Sequence, residues 1–366
     1  MHYKTVSDSN FKDLGFVPTI IIAFYRSSQK SAFLAEYALL RTNYPDTEIL
    51  GCSSSGNIAD EIPYVETTEQ FPIVYFCCDM KRDAFAVHLF SEEDDIAVSQ
   101  LYEQAILLSS FSSPVLEAHL ADFSKAKEIK KVYGAVAGVE LCIEEHPSIF
   151  YNGSFYARHM LLWSIDSERY RLDGMSMHLF RPAGIPLEIT RAEHKTLYEI
   201  NNLPALDVIE EITGKIDEFL IGRFGYPLFV QKHAGMEWSN APLASIVAVN
   251  REEGSIQLYR DVYPKEYVKV GIMLSKQDQL RRLGRLYDIA PKKSAALMFH
   301  CIGIAENLKM MEYLYLEEIK HHIDVSFAGF HSFGEIGSPA SRKPSEDILL
   351  HNQTITVALI AEKDKV

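Results

Sequence analysis

Residues 19–25 read Thr-Ile-Ile-Ile-Ala-Phe-Tyr, a run without a charged side chain in which β-branched and aromatic residues dominate. A strand with one wet face alternates polar and apolar residues, so an unbroken run predicts a strand covered on both faces. Such a strand needs neighbours in a sheet and layers above and below it. Phe33, Tyr37 and Leu40 follow at helical spacing, with Ser28 placed to cap the helix and residues 43–45 to end it. Another strand is predicted from residues 48–51. A crossover this short predicts that the two strands run parallel.

The same reading carries along the chain. Residues 71–79 and 83–90 are predicted to pair as a hairpin, and residues 95–110 to form an amphipathic helix. A second cycle is expected from a strand at 115–120, a Lys-rich helix, and a strand at 131–134. Its closing turn, Gly134-Ala135-Val136-Ala137-Gly138, echoes Gly51-Cys52-Ser53-Ser54-Ser55-Gly56 and suggests an internal duplication. Residues 149–156, turning at Asn152-Gly153, and residues 158–165 read as strands. A helix is expected over 197–213, then a glycine-bearing linker at 214–225. Beyond it come short strands at 227–230, 244–250 and 255–259, and a polar helix at 276–287. A buried strand at 294–302 leads into an amphipathic helix at 306–323. The chain finishes with strands at 326–333 and 353–360 around a Ser- and Pro-rich loop at 337–345. The expected fold is α/β, with two domains, 1–220 and 221–366, built on mixed β-sheets flanked by helices.

Charge and cysteine usage narrow the function. Against 36 basic residues stand 50 acidic ones, a formal net charge of -14 over 366 residues. That balance is repelled by phosphate backbones and anionic lipid, so neither nucleic acid nor a membrane is expected as partner. The amino terminus has no signal pattern, and the longest apolar runs are too short to span a bilayer. Cys52, Cys77, Cys78, Cys142 and Cys301 form an odd set without CxxC spacing, read as reduced thiols of a cytoplasmic protein. No His, Cys, Asp or Glu cluster has the spacing of a metal site.

GCSSSGNI at 51–58, VYGAVAG at 132–138, YNGSFY at 151–156 and the long stretch at 174–214 follow one another in the order of the FIST amino-terminal domain. AALMFHCIG at 295–303, AGFHSFGEIGSP at 328–339 and LHNQTITVALI at 350–360 resemble the FIST carboxy-terminal domain. The resemblance covers roughly residues 15–360. It implies a sensory or signalling protein that binds a small, amino-acid-like ligand. With no room for an output domain, such a chain would signal in trans to a partner such as a histidine kinase. The resemblance also allows a haem-bearing nitric-oxide sensor acting on a kinase, or an adaptor that binds no ligand. The chain departs from the family pattern at Val139, at Ile304 and at His331, where an acidic residue, an Arg and an aromatic residue are more usual.

Two groups read as candidate ligand contacts. Cys52, Ser53, Ser54, Ser55 and Gly56 could present hydroxyls and N–H groups to an acidic ligand, or simply make a tight turn. Glu335, His351, Asn352 and Thr354, with His331 nearby, could read an ammonium and a carboxylate, or hold a loop together. His300, Cys301, His331 and His351 are candidate haem ligands, any such haem being non-covalent without a CxxCH motif. No catalytic residue is assigned. GCSSSG lacks the glycine a nucleophile elbow requires, and Cys52 has no base nearby in sequence, so no enzymatic activity is expected.

Overall fold

The computed structural model describes residues 1–7, 11, 14–59, 71–96, 101–112, 114–126, 129–140, 144–218, 221, 226–235, 237–238, 241–285, 294–308, 317, 325–337 and 348–363. Its framework is one strand–helix–strand unit used three times.

The first unit comprises β1 (Tyr3–Val6), β2 (Ile20–Arg26), α1 (Lys30–Asn43), β3 (Glu48–Ser54), β4 (Asn57–Ala59) and β5 (Ile73–Cys78). β2 and β3 run parallel, and β5 lies antiparallel on the other side of β2. The second comprises β6 (Phe85–Ser91), β7 (Gln104–Ser109), α2 (Pro114–Lys125), β8 (Lys131–Val136), β9 (Ile149–Tyr151), β10 (Ser154–Tyr156) and β11 (His159–Ile165). Again β7 and β8 are parallel and β11 is antiparallel to β7. β12 (Tyr170–His178) opens a third unit, which is then interrupted.

The interruption holds β13 (Phe180–Glu193), β14 (Thr196–Ile200), β15 (Leu203–Pro204), α3 (Ala205–Thr213), β16 (Tyr226–Gln231), β17 (Leu243–Asn250), β18 (Ser255–Leu258) and β19 (Tyr267–Met273). These strands form a seven-stranded sheet of their own, and α4 (Lys276–Leu283) follows. The third unit resumes with β20 (Ala295–Cys301), α5 (Ile302–Leu308), β21 (Ser326–Ser332), β22 (Glu335–Gly337), β23 (Leu349–His351) and β24 (Thr354–Glu362). β20 and β21 are parallel, with β24 antiparallel to β20.

One glycine marks each copy. Gly51, Gly134 and Gly329 are the fourth residues of β3, β8 and β21, opposite Ala23, Leu107 and Met298. A Cβ at these glycines would stand 2.0, 1.7 and 1.9 Å from the carbonyl oxygens of those partners.

The units are also interlocked. β9, from the second unit, pairs with β3 of the first; β22, from the third, pairs with β8 of the second; β4, from the first, pairs with β21 of the third. Each sheet is therefore completed by a strand from another unit. The alternation of the central strands explains the double burial expected of residues 19–25. Ile20, Ile22 and Phe24 join Ile106, Leu108, Leu297 and Phe299 in a core shared by all three sheets. Ile21, Ala23 and Tyr25 face outward onto Phe33 and Leu40 of α1.

Several expectations change. Residues 104–109, expected in a helix, form strand β7, and residues 115–120, expected as a strand, lie in α2. A short apolar run carries no period of its own, whereas Leu116, Leu120 and Phe123 recur at helical spacing and are buried. β5 and β6 belong to different sheets and are not a hairpin. In place of a helix from 197, β14 ends at Ile200. Asn201 and Asn202, both at positive φ, then make the turn before α3. Most of the helix expected at 306–323, half of the 214–225 segment and most of the 337–345 segment lie outside the described residues.

Three of the four sheets take strands from both sides of residue 220. Fragments 1–220 and 221–366 expressed apart are expected to lack a cooperative melt followed by circular dichroism, and to regain it on co-expression. A cooperative melt of fragment 1–220 alone would contradict the interlock.

Candidate functional site

The parallel strands of the second and third units end at a cavity of about 370 Å³. In open parallel sheets this end of the strands is where ligands bind, because loops diverge there and leave a crevice. Ser110 and Phe111 line it beyond β7, Cys301 at the end of β20 and Gly303 just beyond it, and Ser245 and Tyr259 bring in the inserted sheet. Asn352 and Gln353, the link from β23 to β24, complete the wall. That link passes from one sheet to another within two residues, and Gln353 takes a positive φ of 58° to do so.

The polar groups of the wall hold one another. The Tyr259 hydroxyl donates to the carbonyl of Phe333, and burial pushes its ionisation above the usual tyrosine range. Ser245 Oγ donates to Asn352 Oδ1. Fixing that oxygen as an acceptor assigns the Asn352 Nδ2 as a donor at the cavity. Gln353 N–H donates to Cys301 Sγ over 3.3 Å, and the N–H groups of Gly303 and Ile304 point at the same sulfur. Burial still pushes the Cys301 thiol far up, so it stays protonated.

Glu335 lies one layer behind this wall, fully buried. Its carboxyl accepts from Ser332 Oγ at 2.6 Å, Thr354 Oγ1 at 2.7 Å and Thr354 N at 3.2 Å, and from the Cys301 thiol. Burial outweighs these bonds and raises its pKa to about 8. His351 is opposite Glu335 in the ladder, and its Nε2 meets the carbonyl of Gly337 at 3.0 Å.

Of the candidates for ligand contact, the structure therefore places Asn352 on the cavity and Glu335, Thr354 and His351 behind it. The segment Cys52–Gly56 goes elsewhere. Cys52 is in the shared core with its thiol pushed up by burial. Ser53 Oγ accepts from Ser148 N, Ser54 Oγ donates to Asn57, and Ser55 Oγ donates to the carbonyl of Val139. Gly56 leaves room for the ring of His331, and the backbone N–H of His331 donates to the Gly56 carbonyl at 2.8 Å.

The residues present do not fit haem. Cys301 alone of the four candidate ligands lines the cavity, and its sulfur already accepts from the N–H groups of Gln353, Gly303 and Ile304. His300 and His331 sit side by side on paired strands, ring centroids 5.8 Å apart, and His351 is bonded to backbone. Among the described residues no group of three or more His, Cys, Asp or Glu could hold a metal.

Sequence reasoning missed Tyr259, Ser245 and Ser110. They come from segments far apart in the chain, and no local motif joins them. Comparison with family models matches the FIST N domain to residues 19–203 and the FIST C domain to residues 205–338. No curated protein matches the chain.

Proposed function

The chain belongs to the FIST family, whose domains are associated with sensory and signal-transduction roles, and from that premise we propose that it binds a small, amino-acid-like ligand in the cavity under Tyr259. One observation carries this reading: the cavity wall draws Ser110 and Val136 from the FIST N region and Ser245, Tyr259 and Cys301 from the FIST C region. A ligand there touches the inserted sheet and two of the three repeats at once. It thereby couples parts of the molecule that a partner could read, such as a cytoplasmic histidine kinase acting in trans. Phe111, Val136, Ile246 and Phe333 supply the apolar contact and Asn352 the polar one.

No helix among the described residues is long and apolar enough to cross a membrane. Val247 lines the cavity and is 43% exposed, which places it at the mouth. Melting the full chain against a panel of amino acids is expected to find one that raises the melting temperature. At a hundredfold excess over Kd the gain is about 2.7 kcal/mol. Val247→Trp is expected to remove that gain while leaving the ligand-free melt in place. A gain that persists undiminished in Val247→Trp puts the ligand elsewhere.

A further inference from the structure

The threefold repeat makes positions in different units comparable. Counting from the residues opposite the three marker glycines, Arg26, Ser110 and Cys301 correspond, as do Ser27, Phe111 and Ile302, and then Ser28, Ser112 and Gly303. All six of these residues from the second and third units line the cavity.

In the first unit the same turn already holds a carboxylate. Glu140 receives the Ser28 N–H at 2.8 Å and the Ser27 hydroxyl at 3.3 Å, and pairs with the Arg26 guanidinium. In the third unit the corresponding Gly303 N–H points at Cys301 Sγ. Two of the three equivalent N–H groups thus meet an acceptor built into the chain. The third, Ser112 N–H, meets none among the described residues, and Ser112 lines the cavity. Asn352, 7% exposed, lines the same cavity, and with its Oδ1 taken by Ser245 its Nδ2 is left as the donor.

We infer that the cavity takes a small carboxylate, seated on the Ser112 N–H and the Asn352 amide where the first unit seats Glu140. This rests on the cavity being the ligand site, and names the group by which the ligand is held. Its charge suits the place. Ser112 precedes the twelve-residue helix α2, whose N-terminus favours an anion. Arg260, next in sequence to Tyr259, acts on Glu117 in the first turn of that helix. Its Nε and Nη1 are buried without a hydrogen-bond partner among the described residues. No described side chain on the wall is a carboxylate, so a ligand ammonium finds no charge partner among them.

The probes are 3-methylbutanoate and its neutral isostere 3-methylbutanamide, titrated calorimetrically into the full chain. The acid is expected to bind, and the amide about tenfold more weakly or less. Ser112→Pro, which removes the N–H, and Asn352→Asp, which sets a like charge against the ligand, should each weaken the acid by about tenfold or more. Ligand-free melts show which variants fold, and either one suffices. Equal affinity for acid and amide, or unchanged acid binding in a folded variant, overturns the carboxylate seat and leaves the cavity reading intact. Failure of both probes to bind the wild type also overturns the seat. The cavity reading then stands or falls on the amino-acid panel and Val247→Trp.

Discussion

Gly329→Ala is expected to abolish cooperative folding, and Gly51→Ala and Gly134→Ala to do the same. Each added Cβ meets a carbonyl oxygen of the neighbouring strand at 2.0 Å or less, a separation no real contact survives. Relief would need the parallel pair to part in the middle of a sheet packed on both faces, so the strands cannot yield one at a time. Overpacking with this backbone displacement should cost at least about 3–5 kcal/mol, a large share of a domain's stability. Gly235→Ala is the control. Nothing lies within 4 Å of its added Cβ, and a change within about 0.5 kcal/mol is expected. Urea unfolding of the four variants decides the matter, and a near-native midpoint for Gly329→Ala would refute the close approach.

The second large effect is a stability that falls with pH through Glu335. Its pKa lies near 8 in the folded chain against an ordinary 4.5, because burial disfavours the carboxylate. The folded state therefore holds the proton more tightly than the unfolded one. Its contribution is full below about pH 4.5 and is lost as pH rises through 8. The gap corresponds to on the order of 5 kcal/mol between those limits. Glu335→Gln keeps the shape without the titration, so its unfolding free energy should fall less between pH 5 and pH 9 than that of the wild type. Parallel curves for the two proteins would remove Glu335 as the titrating group. Glu335→Ala, by contrast, strips an acceptor from Ser332 and Thr354 and should lower ligand-free stability by about 1–3 kcal/mol at pH 5, a deficit that shrinks as pH rises through 8.

How much of this could be read from the residues alone varies with the kind of order involved. The run at 19–25 announced a doubly covered strand because its burial is local, one residue after another. The small-residue segments at 51–56 and 134–138, expected as turns, announced a repeat although their glycines lie within β3 and β8, where close strand approach demands them. The third copy escaped notice because the inserted sheet separates β12 from β20, so the unit is not continuous in sequence. Gly329 sits in the same place as the other two glycines, yet its neighbours Phe330 and His331 do not resemble Cys52 or Ala135. At the site, Asn352 and Cys301 were found through chemistry that stands out in a short motif. Glu335 and Thr354 belong to the same candidate contact group as Asn352, but alternation along their strands turns them behind the wall. Tyr259 and Ser245 could be seen only once the sheets were assembled.

The cyclic exchange of strands has a consequence for synthesis. A ribosome releases the chain from its amino end, and the first sheet can close as soon as β9 has emerged. The second must wait for β22, and the third for β24, which ends at Glu362. β8 and β4 meanwhile stand with unpaired edges, the kind that invite pairing between neighbouring nascent chains. The molecule therefore cannot mature segment by segment as translation proceeds. The nine-residue β24 is the strand that joins β12 to β20, so slow decoding of this segment prolongs the interval in which those edges stay open.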